Sequence, residues 1–457
     1  MHHLRAIQPA DRPASRRSSR RSSRRSAGFT LIEMVITLAI LVVVLLGVMA
    51  LFDMASKISR VQVDVADVQQ TLRAAQYDMV RMIRMAGRGG VPVQGPLPPG
   101  APGPTDWVIP RGIALGVANN VPAGTFIDPG ADTGLVLAGT DVVTVRGVIN
   151  SAVVNVVDNT FTYQDTPGPD FGRGVVQLTN QVKPGVPVPQ SLRALDFAIA
   201  NNVPEALILV SPLDDAFYHI VELDPAGSLV TARDGDGNPT QMTIAFRASP
   251  GDGVTARTAD YWELSGNNWD PQLVPLTSPM VGIVEEYRYW IQDVRDDPDD
   301  ATSAVSPRLV RSRFFPGTDD VHGGAANLAQ PIAEHVTDLQ VALGIEWPGT
   351  PPEAGALAGD LSAFEPMEDG TEDDEWLYNH ADDDDTLAGW RAGRLYYVRL
   401  STTTVAPRID RDYLGPANDT LEDHAYAVPD PGTPSALTPD RRHRRRTLRT
   451  MIDLRNL

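Results

Sequence analysis

The sequence predicts an α+β protein. A long N-terminal helix, membrane-spanning in its first half and amphipathic in its second, packs on an antiparallel β-sheet domain with large loop insertions. Three observations carry this. Phe29 to Phe52 is a run of twenty-four residues with one charged side chain, Glu33. Beyond it Ile58, Val61, Val65, Val68, Leu72, Ala75, Met79, Met82 and Ala86 alternate spacings of three and four, which lines one helical face. After Gly89-Gly90 the chain changes to short β-branched runs broken by Gly, Pro, Asp and Asn.

Residues 1–28 read as a basic leader peptide. Up to position 27 they hold eight Arg (Arg5, Arg12, Arg16, Arg17, Arg20, Arg21, Arg24, Arg25) and one acid, Asp11. Arg and Ser directly before an apolar run form a topogenic pattern whose charges stay cytoplasmic, with a nucleic-acid-binding arm as the competing reading.

Residues 29–52 follow as the span. At 1.5 Å per residue such a helix is roughly 36 Å long, enough for a bilayer core of about 30 Å. A secretory signal has a shorter apolar region of about 7 to 15 residues and ends at a small-residue cleavage site. A plain signal anchor has no reason to carry Glu33, because an ionisable group in the membrane costs a few kcal/mol and calls for a partner. Residues 53–90 continue the helix. No proline occurs between Pro13 and Pro92, and Gly87, Gly89 and Gly90 supply a stop, so one helix of about 58 residues is expected. Its stripe suits packing on the chain's own sheet, and would also permit a coiled coil.

Gly28-Phe29-Thr30-Leu31-Ile32-Glu33, preceded by Arg24-Arg25 and followed by the span, resembles the processing site of type IV prepilins and pseudopilins. The resemblance implies that a prepilin peptidase cuts between Gly28 and Phe29 and methylates the amine of Phe29. Glu33 then becomes the fifth residue of the mature chain. Similarity to the family further implies that Glu33 meets the Phe29 amine of a neighbouring subunit, two opposite charges that attract strongly in low dielectric. The alternative is that Glu33 merely snorkels to the headgroups.

Residues 91–104 are a Pro/Gly linker, and 105–457 form a β-rich body, expected to be periplasmic. Strands are expected in 140–149, 151–157, 174–179, 205–211, 217–223 and 241–246, and within 282–292, 333–347, 393–407 and 445–457. Four of these segments narrow the resemblance. RMIRMAGRGG (81–90), GTDVVTVRGV (139–148), AEHVTDLQVALGIE (333–346) and TMIDLRNL (450–457) are similar, in that order, to stretches of PilW-like minor pilins. Residues 98–138, 160–200, 225–280 and 348–392 read as insertions.

With no cysteine, disulfides, thiolate metal sites and cysteine nucleophiles are excluded. Removing the leader's eight Arg and one Asp from totals of 39 basic and 58 acidic residues leaves a balance of −26, which repels nucleic acid and anionic lipid. Asp234-Gly235-Asp236-Gly237-Asn238 begins like a calcium loop, but loop position twelve is Ala245 where an EF-hand needs Glu, so a β-turn is expected. The eleven carboxylates of 365–385, and Asp296 to Asp300, read as solvated loops, with condensed divalent cations as the other possibility. His322-Gly323-Gly324 has no G-x-S-x-G partner, and there is no H-E-x-x-H, G-K-[ST] or dinucleotide fingerprint. The basic cluster Arg441, Arg442, Arg444, Arg445, Arg446 and Arg449 is expected either to pair with acids or to form a solvated edge.

These readings converge on a non-enzymatic PilW-like minor pilin with no catalytic residues, cofactor or metal. Its expected partners are prepilin peptidase, other major and minor pilins, and the inner membrane through residues 29–52; no nucleic acid is expected. It would act in pilus assembly near the filament tip. The rival readings are a J-like pseudopilin of a type II secretion system and a membrane-anchored adhesin.

Overall fold

The computed structural model describes residues 30–91, 114–118, 120–122, 127, 135–157, 159–164, 172–180, 192–210, 218–247, 280–292, 307–318, 320–322, 329–346, 364–366, 375–378, 394–410, 413–421, 424–431 and 439–454. The leader with Gly28 and Phe29, nearly all of the 91–104 linker, Asp296 to Asp300 and most of 365–385 lie outside the described residues.

One helix, α1 (Leu31–Ile83, 53 residues), opens the described chain. The chain divides into two units, up to Arg60 and from Val61 onward. In the first, the helix is exposed at every position, and its most apolar window has a mean hydropathy of 3.1. By length and composition it can cross a membrane. Its lone ion pair among the described residues, Lys57 Nζ to Asp53 at 3.3 Å, is solvent-exposed and contributes a few tenths of a kcal/mol.

In the second unit the predicted stripe is buried at Val68, Leu72, Ala75, Met79, Met82 and Ala86. It does not extend to its predicted start, because Ile58 is 52% exposed. The helix also stops at Ile83, earlier than the glycines suggested, and tightens into i→i+3 bonds from Met85 to Met82 and from Ala86 to Ile83. A turn through Gly87, Gly89 and Gly90, all with φ between 77° and 88°, follows. Glycine is required at Gly89 twice over: a Cβ there would lie 2.3 Å from Val148 Cγ2 as well as carry the strained φ.

The strands are β1 (Leu115–Ala118), β2 (Val142–Gly147), β3 (Val154–Val156), β4 (Thr162–Tyr163) and β5 (Arg173–Thr179). A short helix, α2 (Arg193–Ala200), precedes β6 (Ala206–Val210), β7 (Tyr218–Arg233), β8 (Pro239–Arg247), β9 (Met280–Ile283) and β10 (Glu285–Gln292). Then come β11 (Arg308–Phe314), β12 (Gln330–Glu334), β13 (Val336–Glu346), β14 (Phe364–Pro366) and β15 (Glu375–Tyr378). The last are β16 (Arg394–Ile409), β17 (Asn418–Leu421), β18 (His424–Ala427) and β19 (His443–Asp453).

They form two five-stranded sheets, β1-β2-β10-β11-β12 and β14-β15-β13-β16-β19, a seven-stranded sheet β3-β9-β6-β7-β8-β5-β4, and the hairpin β17-β18. All pairings are antiparallel, as expected for an α+β fold. Parts of the segments read as insertions prove to be sheet beyond the strands expected at 174–179 and 241–246, which are β5 and β8: β1, β4, the far half of β7, β14 and β15 also fall in them.

Two segments read as single runs are each split by one residue. Val284 separates β9 in the seven-stranded sheet from β10 in a five-stranded one, and its N–H bonds Ala206 O at 2.8 Å. His335, at φ 58°, separates β12 from β13, which lies in the other five-stranded sheet. The main core gathers Met79, Met82, Ile83, Val143, Val145, Leu339, Val341, Val398 and Leu400. Strand β6 is buried on both faces: Ala206, Ile208 and Val210 join that core, while Leu207 and Leu209 join a second one beneath Leu195 and Ala198 of α2. The continuous apolar run of EALILVS is therefore the signature of a doubly covered strand.

His219 on β7 is 5% exposed, and burial lowers its pKa from 6.5 to about 3. The folded state holds it neutral, so its stabilising contribution is complete above pH 6.5 and declines as pH falls toward 3. At about 1.4 kcal/mol per pH unit, moving from about pH 7.5 to about pH 5 should cost about 2 kcal/mol, read from urea midpoints. His219→Gln should lose that component; an equal loss in both proteins would exclude His219.

Candidate functional site

At the head of α1, Thr30 and Glu33 close on each other. The Thr30 N–H and hydroxyl donate to Glu33 Oε2 at 2.9 and 3.0 Å, and the Glu33 N–H donates to Thr30 Oγ1 at 3.3 Å. This is a capping box: T-x-x-E satisfies orphan amides at both ends of the motif, and the carboxylate sits where the helix dipole favours negative charge. Thr37 adds a hydroxyl bond to Glu33 O at 2.6 Å. The sequence reading gave Glu33 only an intermolecular partner and missed this local one, although the T-x-x-E spacing announces it.

The amphipathic half of α1 is fixed to both five-stranded sheets by polar side chains that flank the apolar stripe. Gln76, buried at 4% exposure, donates to Leu448 O at 2.6 Å and to Thr402 Oγ1 at 3.1 Å, and accepts from the Thr450 hydroxyl. Two residues on, Asp78 accepts from the Tyr289 hydroxyl at 2.7 Å and from Arg311 Nη1 at 3.0 Å. A helix rotates about 100° per residue, so a one-residue slip would detach both while burying their unpaired polar atoms.

Two of the four resemblance segments meet at the seam between the five-stranded sheets. Asp141, in GTDVVTVRGV, accepts from Asn120 N at 2.9 Å and Val341 N at 2.6 Å, while its own N–H donates to Leu339 O at 2.9 Å. Asp338 and Gln340 of AEHVTDLQVALGIE bond each other at 3.0 Å, and Gln340 reaches Gly139 O at 2.8 Å. His424 of the β17–β18 hairpin lies 3.1 Å from Asp338. Burial raises the Asp338 carboxyl even against that contact.

Next to this seam Glu286, fully buried, receives Arg146 Nε and Arg288 Nε, each at 2.6 Å, and the Gly317 N–H at 2.7 Å. Burial alone would raise its carboxyl, but the two guanidiniums and the amide outweigh that and hold it below the ordinary 4.5.

The signals set aside in the sequence have structural roles. Asp234 accepts from Asp236 N, Asn238 N and Asn238 Nδ2, closing the β7–β8 turn, and these bonds lower its carboxyl. His322 pairs with Glu205 at 3.0 Å and packs on Phe315. From the basic cluster, Arg441, Arg442 and Arg444 pair with Asp430, Asp440 and Asp410. Among the described residues no three His, Asp or Glu gather in a way that could hold a metal ion.

The family model for the prokaryotic N-terminal methylation motif matches residues 23–49, which spans Gly28, Phe29 and Glu33. Comparison with curated proteins and with solved structures returns no match. The motif marks a substrate of prepilin peptidase that assembles with other pilins. With that motif heading a long apolar helix, packed in its second half against antiparallel sheet, this chain is a type IV pilin-like protein.

Proposed function

We propose that this is a PilW-like minor pilin, cut after Gly28, methylated at Phe29, and acting in assembly and presentation near a filament tip rather than in turnover. The observation that carries the reading is the methylation motif on a helix with two unlike halves. The half through Arg60 is exposed, and apolar as far as Phe52, and the half from Val68 is fixed to a sheet domain. The first half exchanges lipid for the helices of neighbours; the second holds the body. The Arg-rich leader keeps the N-terminus cytoplasmic and so places the body in the periplasm. Glu33 enters the membrane already paired to Thr30, which lowers the cost of its burial until the Phe29 amine of a neighbour replaces that partner.

The purified mature protein should begin at Phe29 with one added methyl, measured by intact mass and N-terminal sequencing. A chain beginning at Met1, as an unprocessed adhesin would, overturns the processing claim. Deletion should abolish piliation while leaving enzyme secretion intact; the reverse outcome assigns the chain to a secretion pseudopilus.

A further inference from the structure

The C-terminal end of β16 and the start of β19 meet α1 where the second unit begins. Val68 and Leu72 of α1 pack with Ala406 and Leu448, and Arg408 Nη1 lies 3.6 Å from Asp64, the fourth residue of that unit. Here the two strands and the loop after β16 form an arginine-rich tip. Residues 440–446 hold five Arg and one acid, Asp440. The loop holds them in place: Asp410 N donates to Arg442 O at 3.0 Å and Gly415 N to Arg441 O at 2.8 Å. The Arg444 guanidinium bonds Asp410 and lies 4.8 Å from the centroid of the Tyr413 ring. With Arg408, and with Asp64, Asp410, Asp430 and Asp440 as their partners, the described tip sets six arginines against four carboxylates. Arg408 and Arg446 are exposed, and so are Ile409 and Leu414, at 49% and 59%, on either side of Asp410 and Tyr413.

We propose that this tip docks on anionic lipid headgroups of the membrane that holds the chain, binding their phosphates. Asp64 follows Phe52, the end of the apolar run, by twelve residues, so a short tether keeps the tip within reach of the bilayer surface. Residues 53–63 carry Lys57 and Arg60 against Asp53 and add no net repulsion. A guanidinium has five N–H donors and a carboxylate engages two of them at most, so even the paired arginines keep donors for a phosphate. Binding at a bilayer interface grows with buried apolar area and with attraction to anionic lipid, and Ile409 and Leu414 beside the arginines supply both. The body as a whole is acidic and is repelled by the same surface, which turns the tip toward it. The inference rests on residues 29–52 spanning the membrane and adds a second membrane contact outside the span.

The chain has no cysteine, so Ala417→Cys, at an exposed position of the same loop, gives a single site for a fluorophore. The full-length labelled protein is placed one chain per nanodisc, in equal parts phosphatidylglycerol and phosphatidylcholine or in phosphatidylcholine alone, with a trace of headgroup-spin-labelled lipid as quencher. Quenching is expected in the anionic discs and not in the neutral ones. It should vanish in about 1 M salt, where the screening length is about 3 Å. Arg408→Gln/Arg446→Gln should lower the docked-to-free ratio by about fivefold for each charge removed, equivalent to about 1 kcal/mol, and Arg408→Lys/Arg446→Lys should dock like the parent. The salt arm and the lysine variant keep the test valid if the glutamine variant is poorly folded. Equal quenching in both lipids overturns the proposal, and so does quenching that appears only with two chains per disc, which would place the tip on a second copy. Chains that fail to float with the lipid overturn the span as well, whereas embedded chains with an unquenched tip overturn the docking alone.

Discussion

Glu33→Ala is expected to leave the chain inserted and cut but absent from sheared filaments. The alanine removes two things together: the charge that would meet a neighbouring amine and the acceptor for Thr30 N and Oγ1. Glu33→Gln separates them. Glutamine still completes a capping box, a local contribution of about 1 kcal/mol, but carries no charge to pair with an amine in an apolar filament core. If the charge is what recruits subunits, the glutamine variant fails like the alanine one, as scored by immunoblot of sheared fibres against the membrane fraction. Wild-type incorporation of Glu33→Gln would reduce Glu33 to a helix cap.

Glu286→Ala is expected to cost about 3 to 5 kcal/mol, the range for stranding a buried charge. Here two guanidiniums, Arg146 at 1% and Arg288 at 5% exposure, would lose their carboxylate at once, and the Gly317 N–H its acceptor. Set against a usual total of about 5 to 15 kcal/mol, that is a large fraction, visible as a drop in the urea midpoint of the full-length protein in detergent. The carboxyl is held below 4.5 in the folded chain, so its stabilisation is complete above that pH and is lost as pH falls below it. The wild-type and variant curves should therefore converge in acid. A drop under about 1 kcal/mol would show that the arginines find other partners.

The head of the molecule was legible because its signals are local. Gly28 to Glu33, the apolar run and the 3-4 stripe follow one another within about sixty residues of sequence, and an i,i+3/i+4 pattern needs no knowledge of the rest of the chain. Strands such as β6 and β16 were legible as apolar or β-branched runs. Strand β11 was not, because Arg308, Arg311 and Arg313 interrupt the apolar pattern of RLVRSRF. Their partners Gln292, Asp78 and Glu205 lie 16, 233 and 108 residues away, so nothing nearby shows the charges to be matched. Helix α2, with eight residues and no side-chain cap bond, gave no start signal. The splits at Val284 and His335 were also hidden, since a run of β-formers does not show that its two ends enter different sheets. At the candidate site Glu33 was found by its oddity in an apolar run, and its bond to Thr30 was obscured because the same letters read as a processing signature.

Gln76 and Asp78 also have a mechanical meaning. A subunit held by its first helical half and pulled by its body carries the load along the axis of α1. The bonds from Gln76 to Thr402 and Leu448, and from Tyr289 and Arg311 to Asp78, run across that axis to two different sheets. They are loaded in shear and in parallel, so the helix cannot be drawn out by breaking them one after another. The body should therefore resist extraction of its helix far better than unpeeling of an edge strand such as β12, whose bonds to β11 can open singly.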